Sequence, residues 1–273
     1  MTADDHVLAR DLADEAGRLL LALRARGGDP DVLRAAGDRL SHEFLAAQLA
    51  ARRPADALLS EEGIDDKARL AADRVWIVDP LDGTREFGEE GRADWAVHVA
   101  LWERAAAGEG EDTDGAGTLT AGAVALPAQG RVLSTGRGGL GGLVPPDGGV
   151  TGGVVPPGEK LRIVVSRSRA PRLVQRVAEL LGAELVPCGS VGAKVATVLS
   201  GQTDAYVHAG GFYQWDTAAP AAVAVAAGYH ASRIDGAALA YNGEDPLIPD
   251  ILVCRPAIAG LLLAAIREAT HAI

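Results

Sequence analysis

Two carboxylates stand three residues apart in the stretch Asp79-Pro-Leu-Asp-Gly-Thr84, directly after an apolar run. The run, Val75 to Val78, is short, apolar and partly β-branched, which predicts a buried strand. Asp-Pro followed by Asp-Gly predicts an abrupt turn out of that strand. Acids at such a position face a ligand rather than the core, although Asp in a Pro/Gly turn also occurs for conformational reasons alone.

Further acids stand at the ends of other predicted elements. Glu61 follows the apolar segment 57–60, and Asp216 opens an Ala-rich helical stretch. Divalent cations such as Mg²⁺ take oxygen ligands and often share them with substrate phosphates. Together with Asp79 and Asp82, these acids therefore predict a two-metal phosphatase centre.

Three segments, in this order along nearly the whole chain, resemble the inositol monophosphatase superfamily of lithium-sensitive, magnesium-dependent phosphatases. They are Glu61-Glu62, Asp79 to Thr84, and Trp215-Asp216-Thr-Ala-Ala219. Thr84-Arg85-Glu86-Phe87 is similar to the same stretch of the 3'(2'),5'-bisphosphate nucleotidases, the CysQ group, whereas inositol monophosphatases usually carry Asn before the aromatic residue. The resemblance therefore favours a CysQ-type nucleotidase.

The resemblance implies an enzyme, a phosphoric monoester hydrolase of sulfur assimilation. It would remove the 3'-phosphate of adenosine 3',5'-bisphosphate (PAP) by attack of a water that two metals activate, and its sulfated form (PAPS) is open as a second substrate. One alternative is an inositol-1-monophosphatase or fructose-1,6-bisphosphatase of the same superfamily, against which Arg85-Glu86 counts. The other is a non-catalytic metal- or nucleotide-binding protein, against which the retained ligand positions count.

The resemblance also implies which residues hold the cofactor, two or three Mg²⁺ ions. Glu61, Asp79 and the Leu81 carbonyl would bind the first ion. Asp79, Asp82 and Asp216 would bind the second, so that Asp79 bridges the two. Carboxylates and carbonyl oxygens are suitable ligands for such cations.

Thr84, Asp38 and Glu61 are the expected catalytic residues, because the Thr84 hydroxyl, bonded to Glu61 or Asp38, would orient the attacking water. For Asp38 a plain helix-capping role stays open, since Gly37-Asp38 is predicted to start a helix. The expected substrate-binding residues are Asp82, Gly83, Thr84, Arg85, Ser166, Arg169, Gly189, Ser190, Lys194 and Asp216. Several of them are Ser or Gly, which also serve turns and caps alone.

The composition narrows the functional class. A net charge of −11 over 273 residues argues against binding to a nucleic-acid polymer, which needs clustered Lys and Arg. No apolar run approaches the roughly 18 residues of a membrane span, and the first residues lack the features of a signal peptide. We therefore expect a cytoplasmic enzyme with a small phosphorylated substrate, and its oligomeric state, including a homodimer, is open.

Hydrophobic periodicity predicts the elements that must position these residues. In the first half we expect helices over 6–26 and 38–53 and strands over 57–60, 75–79, 95–103, 120–126 and 131–135. In the second half we expect strands over 161–166, 184–188 and 203–208, helices over 171–182, 191–199 and 215–228, two more strands, and a last helix over 256–272. His98, inside the apolar strand 95–103, is interpreted as a core residue.

Together with the resemblance, this order predicts an α/β protein with the layered αβαβα sugar-phosphatase fold. An N-terminal α+β half, residues 1–159, would carry most metal ligands. A C-terminal α/β half, residues 160–273, would carry Asp216 and the nucleoside pocket. The Gly/Pro-rich segment 136–158 would link the halves, and its order and role are open.

Overall fold

The computed structural model describes residues 5–105, 117–136, 139, 160–168 and 170–271. The elements up to residue 136 are α1 (Asp5–Arg24), α2 (Pro30–Arg52), β1 (Ala57–Ser60), β2 (Arg74–Asp82), α3 (Thr84–Gly88), β3 (Ala96–Arg104), β4 (Gly117–Leu126) and β5 (Arg131–Ser134). Those after residue 160 are β6 (Arg162–Ser166), α4 (Arg172–Leu181), β7 (Glu184–Cys188), α5 (Val191–Leu199), β8 (Ala205–Tyr213), α6 (Gln214–Ala226), β9 (His230–Ser232), β10 (Leu247–Cys254) and α7 (Pro256–His271).

The strands form two five-stranded sheets, one with the order β1-β2-β3-β4-β5 and one with the order β7-β6-β8-β10-β9. In the first sheet, β1 runs parallel to β2 and the later pairs are antiparallel. In the second sheet, β6 pairs in parallel with β7 and β8, while β10 is antiparallel to both of its neighbours. The chain therefore builds the sheets one after the other.

The two sheets alternate with layers of helices, and three apolar cores lie between these layers. Helices α1 and α2 cover the outer face of the first sheet. Helices α5 and α6 fill the space between the two sheets, and α4 and α7 cover the outer face of the second. The predicted αβαβα layering is confirmed, because each sheet buries both faces against helices. The division into halves at residue 159 stays a prediction, since α5 and α6 pack on both sheets.

The start of α2 differs from the prediction. The helix begins at Pro30 after the N-cap Asp29, whose side chain accepts hydrogen bonds from the amides of Asp31 and Val32. Gly37 therefore lies inside the helix rather than at its start. A side chain there would meet Phe87 Cε1 at 2.8 Å and Leu81 Cδ2 at 2.9 Å. Gly37 thus reflects close packing of α2 on the Asp79–Thr84 segment.

The end of β2 also differs from the prediction of an abrupt turn after Asp79. The strand continues to Asp82, and its pairing with β3 shifts register between Asp79, opposite His98, and Asp82, opposite Ala96. Pro80, which has no amide hydrogen, is tolerated at such an irregularity. The chain then turns at Gly83, whose φ of 84° favours glycine.

Some expectations fall outside the described residues. Arg169 and most of the segment 136–158 are among them. Among the helices that are described, none is both long enough and apolar enough to cross a bilayer.

Candidate metal and phosphate site

Three of the predicted metal ligands lie together where the end of β2 approaches the first turn of α6. Oxygen atoms of Asp79, Asp82 and Asp216 lie within 4.8 Å of one another. Asp79 and Asp82 come from the end of β2 and are buried, with 1% and 7% of their surfaces exposed, and the half-buried Asp216 comes from the first turn of α6. The fold thus joins residues separated by more than a hundred positions in the sequence.

Glu61 stands beside this group because β1 pairs in parallel with β2. Its amide donates to the carbonyl of Val78 at 3.4 Å, so Glu61 lies next to the residue that precedes Asp79. Glu61 is an exposed residue, yet partial burial of its carboxyl group and repulsion from Asp216 raise the pKa of Glu61 to about 7. Glu61 therefore belongs to the same electrostatic cluster.

Asp79 and Asp216 show the same resistance to ionisation. Burial, followed by repulsion from Glu61, raises the pKa of Asp79 well above its ordinary value. Burial and repulsion from Asp82 raise the pKa of Asp216 to about 6. Several carboxylates that destabilise one another's charged forms at this spacing are suited to a hard divalent cation, which supplies the missing positive charge. The donor set therefore fits the predicted Mg²⁺ ions.

Asp82 differs from its neighbours because it has partners within the protein. Burial opposes its charged form, but His98, Lys194 and the amide of Gly192 together bring the pKa of Asp82 below its ordinary value. His98 Nε2 lies 3.1 Å from Asp82 Oδ2, and the Gly192 amide donates to the same oxygen at 2.8 Å. One side of the Asp82 carboxylate is therefore held by the protein.

His98 has a second contact that sequence reasoning missed. The residue is fully buried, as expected of a core residue, but its Nδ1 lies 3.3 Å from the carbonyl of Trp215, directly before Asp216. One ring thus contacts Asp82 and the backbone next to Asp216. The signal in the sequence is a lone His in a strand that pairs with the Asp79 strand, where Asp79 and His98 stand opposite each other.

Thr84 and Asp38 meet as the resemblance implied. The Thr84 hydroxyl lies 3.3 Å from Asp38 Oδ1 and 3.1 Å from the Leu81 carbonyl, and it can donate to either. Burial and repulsion from Glu62 raise the pKa of Asp38 to about 6. The capping alternative for Asp38 is wrong, since the residue lies in the middle of α2.

Asp216 caps its own helix and also faces the other acids of the cluster. It lies in the first turn of α6, and its Oδ2 accepts a hydrogen bond from the amide of Tyr213 at 2.7 Å. The carboxylate therefore caps the helix and also faces Asp79 and Asp82. A cap of this kind fixes the side chain's direction.

The predicted substrate residues near the start of α5 are already bonded within the protein, with Ser190 and Lys194 buried and Gly189 half-buried. The Gly189 amide donates to Asp94 Oδ2 at 2.7 Å, and Ser190 caps α5 by accepting from the amide of Ala193 at 3.0 Å. Lys194, 4% exposed, donates its Nζ hydrogen to the Gly189 carbonyl, and burial lowers its pKa. Lys194 is nevertheless close enough to Asp82 to influence that residue's pKa.

The remaining described candidates lie nearer the surface. Arg85 is exposed and lies 3.3 Å from Glu89 Oε1, and the Ser166 hydroxyl lies 3.5 Å from that of Ser168. Arg167, which was not predicted, donates to Glu86 Oε1 at 3.1 Å and to the Glu89 carboxylate at 2.7 and 2.8 Å. This arginine, directly after β6, joins the end of that strand to α3, which begins at Thr84, and to the residue that follows α3.

The chain belongs to the inositol monophosphatase family, because that family's model matches residues 12–271. The resemblance expected from the three acidic segments is therefore confirmed.

Within the family, the chain is similar to named nucleotidases. It is 51% identical over 267 residues to the 3'-phosphoadenosine 5'-phosphate phosphatase of Mycobacterium leprae, covering 97% of this chain and 94% of the relative. It is 28% identical to the 3'(2'),5'-bisphosphate nucleotidase CysQ of Escherichia coli, over 78% of this chain and 81% of the relative. The crystal structure of CysQ from Bacteroides thetaiotaomicron superimposes with a TM-score of 0.68 at 28% identity, covering 92% of this chain and 97% of that one.

Proposed function

We propose that this protein is a Mg²⁺-dependent 3'(2'),5'-bisphosphate nucleotidase that removes the 3'-phosphate of PAP, with a role in sulfur assimilation. The observation that carries the proposal is the acidic cluster, in which Asp79, Asp82 and Asp216 offer oxygens within 4.8 Å of one another. The substrate class is supported by the 51% identical relative, whose name states that activity.

We assign the cation ligands as the resemblance implied: Glu61, Asp79, the Leu81 carbonyl, Asp82 and Asp216. When bound, Mg²⁺ supplies charge that neutralises the phosphate and lowers the pKa of a coordinated water. The protein supplies the placement of these oxygens. Asp79 and Asp82 are fixed by β2, and Asp216 is fixed by its own cap on α6.

Thr84 and Asp38 orient the attacking water. When the Thr84 hydroxyl donates its hydrogen to Asp38 Oδ1, its oxygen lone pairs are free to accept a hydrogen bond from water. Such a contact fixes the direction of attack on phosphorus, which contributes to the rate through positioning. The carboxylate of Glu61, beside Asp79, is the third residue of this group.

Recognition of the nucleoside and the uncleaved phosphate is assigned to the residues that the resemblance implied. Arg85, Arg169 and Lys194 are the candidate cations for the second phosphate, because Arg and Lys pair well with phosphate oxygens. Gly83, Ser166, Gly189 and Ser190 complete the proposed substrate-binding set. A cytoplasmic location and assembly as a homodimer are also proposals.

A phosphate-release assay tests the proposed function. Purified full-length protein is assayed with PAP, PAPS, inositol 1-phosphate and fructose 1,6-bisphosphate, in the presence of Mg²⁺ and after EDTA treatment. The proposal expects Mg²⁺-dependent turnover with PAP preferred. A preference for inositol 1-phosphate or fructose 1,6-bisphosphate would support the alternative within the superfamily, and no turnover on any substrate would support a non-catalytic binding protein.

A further inference from the structure

A buried arginine joins the two halves of the molecule at a place the proposed chemistry does not use. Arg69 lies in the short 3₁₀ helix Lys67–Ala71, and only 1% of its surface is exposed. Its Nε and Nη2 donate to the two oxygens of Asp65 at 2.6 and 3.0 Å. Nη1 donates to Asn242 Oδ1 at 2.7 Å, and Nη2 also donates to the Gly243 carbonyl at 3.0 Å.

The contacts continue from Asn242 to the helix that carries Asp216. The backbone amide of Asn242 donates to Gln214 Oε1 at 2.6 Å, and Gln214 is the first residue of α6. Gln214 is 1% exposed, and its backbone amide donates to the Pro246 carbonyl at 2.8 Å. Its side-chain Nε2 donates to the Asp245 carbonyl at 3.2 Å. Gln214 stands two residues before Asp216, so this turn is fixed by three hydrogen bonds on that residue.

At its other end, the chain of contacts reaches the loop that begins with Glu61. Asp65 lies four residues after Glu61, and its bonds to Arg69 are the leading cause that brings its pKa down to about 2. Asp65 therefore stays charged and bound to Arg69 across the working pH range. The series Asp65, Arg69, Asn242 and Gln214, here called the buried relay, thus connects the Glu61 loop to the Asp216 turn.

The metal site has a physical need for such a connection. Glu61 follows β1 and Asp216 lies in the first turn of α6, so acids from distant parts of the chain must be held in place beside Asp79 and Asp82. Without a cation, repulsion favours conformations in which these ligands move apart. Directional hydrogen bonds in a buried, low-dielectric setting resist such movement more strongly than surface contacts do.

We propose that Arg69, through Asn242 and Gln214, is a positioning residue that holds the Glu61 loop and the Asp216 turn at the spacing that cation binding requires. This inference rests on the proposed function, because it needs the acidic cluster to bind Mg²⁺. The alternative is that the buried relay only stabilises the contact between the halves. The two differ in what its loss changes: Mg²⁺ affinity in the first case, and global stability alone in the second.

Variants of Asn242 test the proposal with little disturbance of the backbone. Asn242 has a φ of 60°, which glycine adopts without strain and Asp tolerates. Asn242→Gly keeps the backbone amide that donates to Gln214 but removes the side-chain oxygen that accepts from Arg69. Asn242→Asp keeps that acceptor and serves as the conservative rescue. Arg69→Met removes the guanidinium itself.

Arg233→Met is the matched control for the loss of a partly buried arginine. Arg233 donates to both oxygens of Asp250 at 2.7 Å, in the same half as Asn242. Among the described residues, the hydrogen bonds of this pair do not reach the acidic cluster. Its loss should lower the unfolding temperature and leave cation binding unchanged.

Mg²⁺ is titrated calorimetrically into metal-stripped full-length protein, and thermal unfolding is recorded with and without Mg²⁺. We expect Arg69→Met and Asn242→Gly to weaken Mg²⁺ binding by about tenfold or more, in the range seen when groups that orient metal ligands are lost. The Mg²⁺-induced rise in unfolding temperature should shrink in parallel. Asn242→Asp should bind Mg²⁺ like the wild type.

The outcomes separate the two levels of inference. If the wild type binds no Mg²⁺, the proposed function fails and the positioning role fails with it. If the wild type binds Mg²⁺ and Asn242→Gly binds it equally tightly, only the positioning role is overturned. Should Arg69→Met not fold, the comparison of Asn242→Gly with Asn242→Asp decides the question by itself.

Discussion

Asp216→Asn should make the metal-free protein more stable while it removes catalysis. In the absence of a cation, the Asp216 carboxylate lies close to the carboxylates of Asp79 and Asp82. Burial and repulsion from Asp82 raise the pKa of Asp216 from 3.8 to about 6. Asn has nearly the same shape and carries no charge. Its side-chain oxygen can still accept the cap hydrogen bond from the Tyr213 amide, so the fold loses little.

The size of the effect follows from the shift of the pKa. One pKa unit corresponds to about 1.36 kcal/mol, so ionised Asp216 lowers the free energy of unfolding by up to about 3 kcal/mol. Partial exposure of the residue reduces this figure, and about 1–3 kcal/mol is the expected gain for the variant. For a protein of this size that corresponds to roughly 2–4 °C in melting temperature per kcal/mol.

The gain must depend on pH in a defined direction. Because the folded-state pKa of Asp216 lies above its unfolded value, the folded state binds the proton more tightly between the two pKa values. Stability then falls as the pH rises through this window, from about 4 to about 6, and the full penalty is present above it. Asp216→Asn should therefore match the wild type near pH 4 and exceed it at pH 7.5.

Urea or thermal unfolding of EDTA-treated protein at these two pH values measures the effect. Asp250→Asn is the control, since it neutralises a buried carboxylate of the same half that is paired with Arg233, and it should lower stability. Adding Mg²⁺ should reverse the order of the wild type and Asp216→Asn. The reasoning is refuted if the metal-free variant at pH 7.5 is no more stable than the wild type.

Three further changes test the surroundings of the site. Gly192→Ala should lower the free energy of unfolding by about 1–3 kcal/mol, because the added methyl group would lie 2.4 Å from His98 Nε2. Thermal unfolding checks this, with Gly260→Ala as the control because nothing lies within 4 Å of a methyl group there. Equal stability of the two variants would contradict the prediction. Asp82→Asn should nearly abolish turnover under saturating Mg²⁺, since an amide is a weaker ligand, and phosphate release near the wild-type rate would show that Asp82 is not a ligand. Lys194→Ala should lower kcat/KM for PAP more than for inositol monophosphate, because only PAP carries a second phosphate; equal losses in steady-state kinetics would contradict a phosphate-binding role.

The Asp79–Thr84 segment by itself indicated a site that binds metal and phosphate. The strand β2 ends with two acids, Asp79 and Asp82, and the chain then turns at Gly83, which adopts a left-handed conformation. These features depend on residues close together in the sequence. The positions of Glu61 and Asp216 at the ends of their elements follow from the same local signals. The end of β1 agrees with this expectation and the start of α6 lies one residue from it, whereas β2 continues to Asp82, beyond its predicted end at residue 79.

The errors arose where a local signal had a distant cause. Gly37 was interpreted as the start of a helix, but its lack of a side chain allows α2 to pack against Phe87 and Leu81. For Asp38, its position in the middle of α2 excludes the cap, and the Thr84 hydroxyl 3.3 Å from its Oδ1 is a contact that the local sequence does not indicate. No property of the sequence around residue 37 encodes those neighbours.

The order of the elements, together with the resemblance of three acidic segments to a known family, predicted the layered fold, which is confirmed, and the acids expected to hold metal, which stay a prediction. Only the tertiary structure decided which groups act on those acids. The contact of His98 with Asp82, and the relay from Arg69 through Asn242 to Gln214, join residues from different elements of the fold. Such contacts exist only after the two sheets and their helices pack, since burial and proximity in space set the charge state and position of each carboxylate.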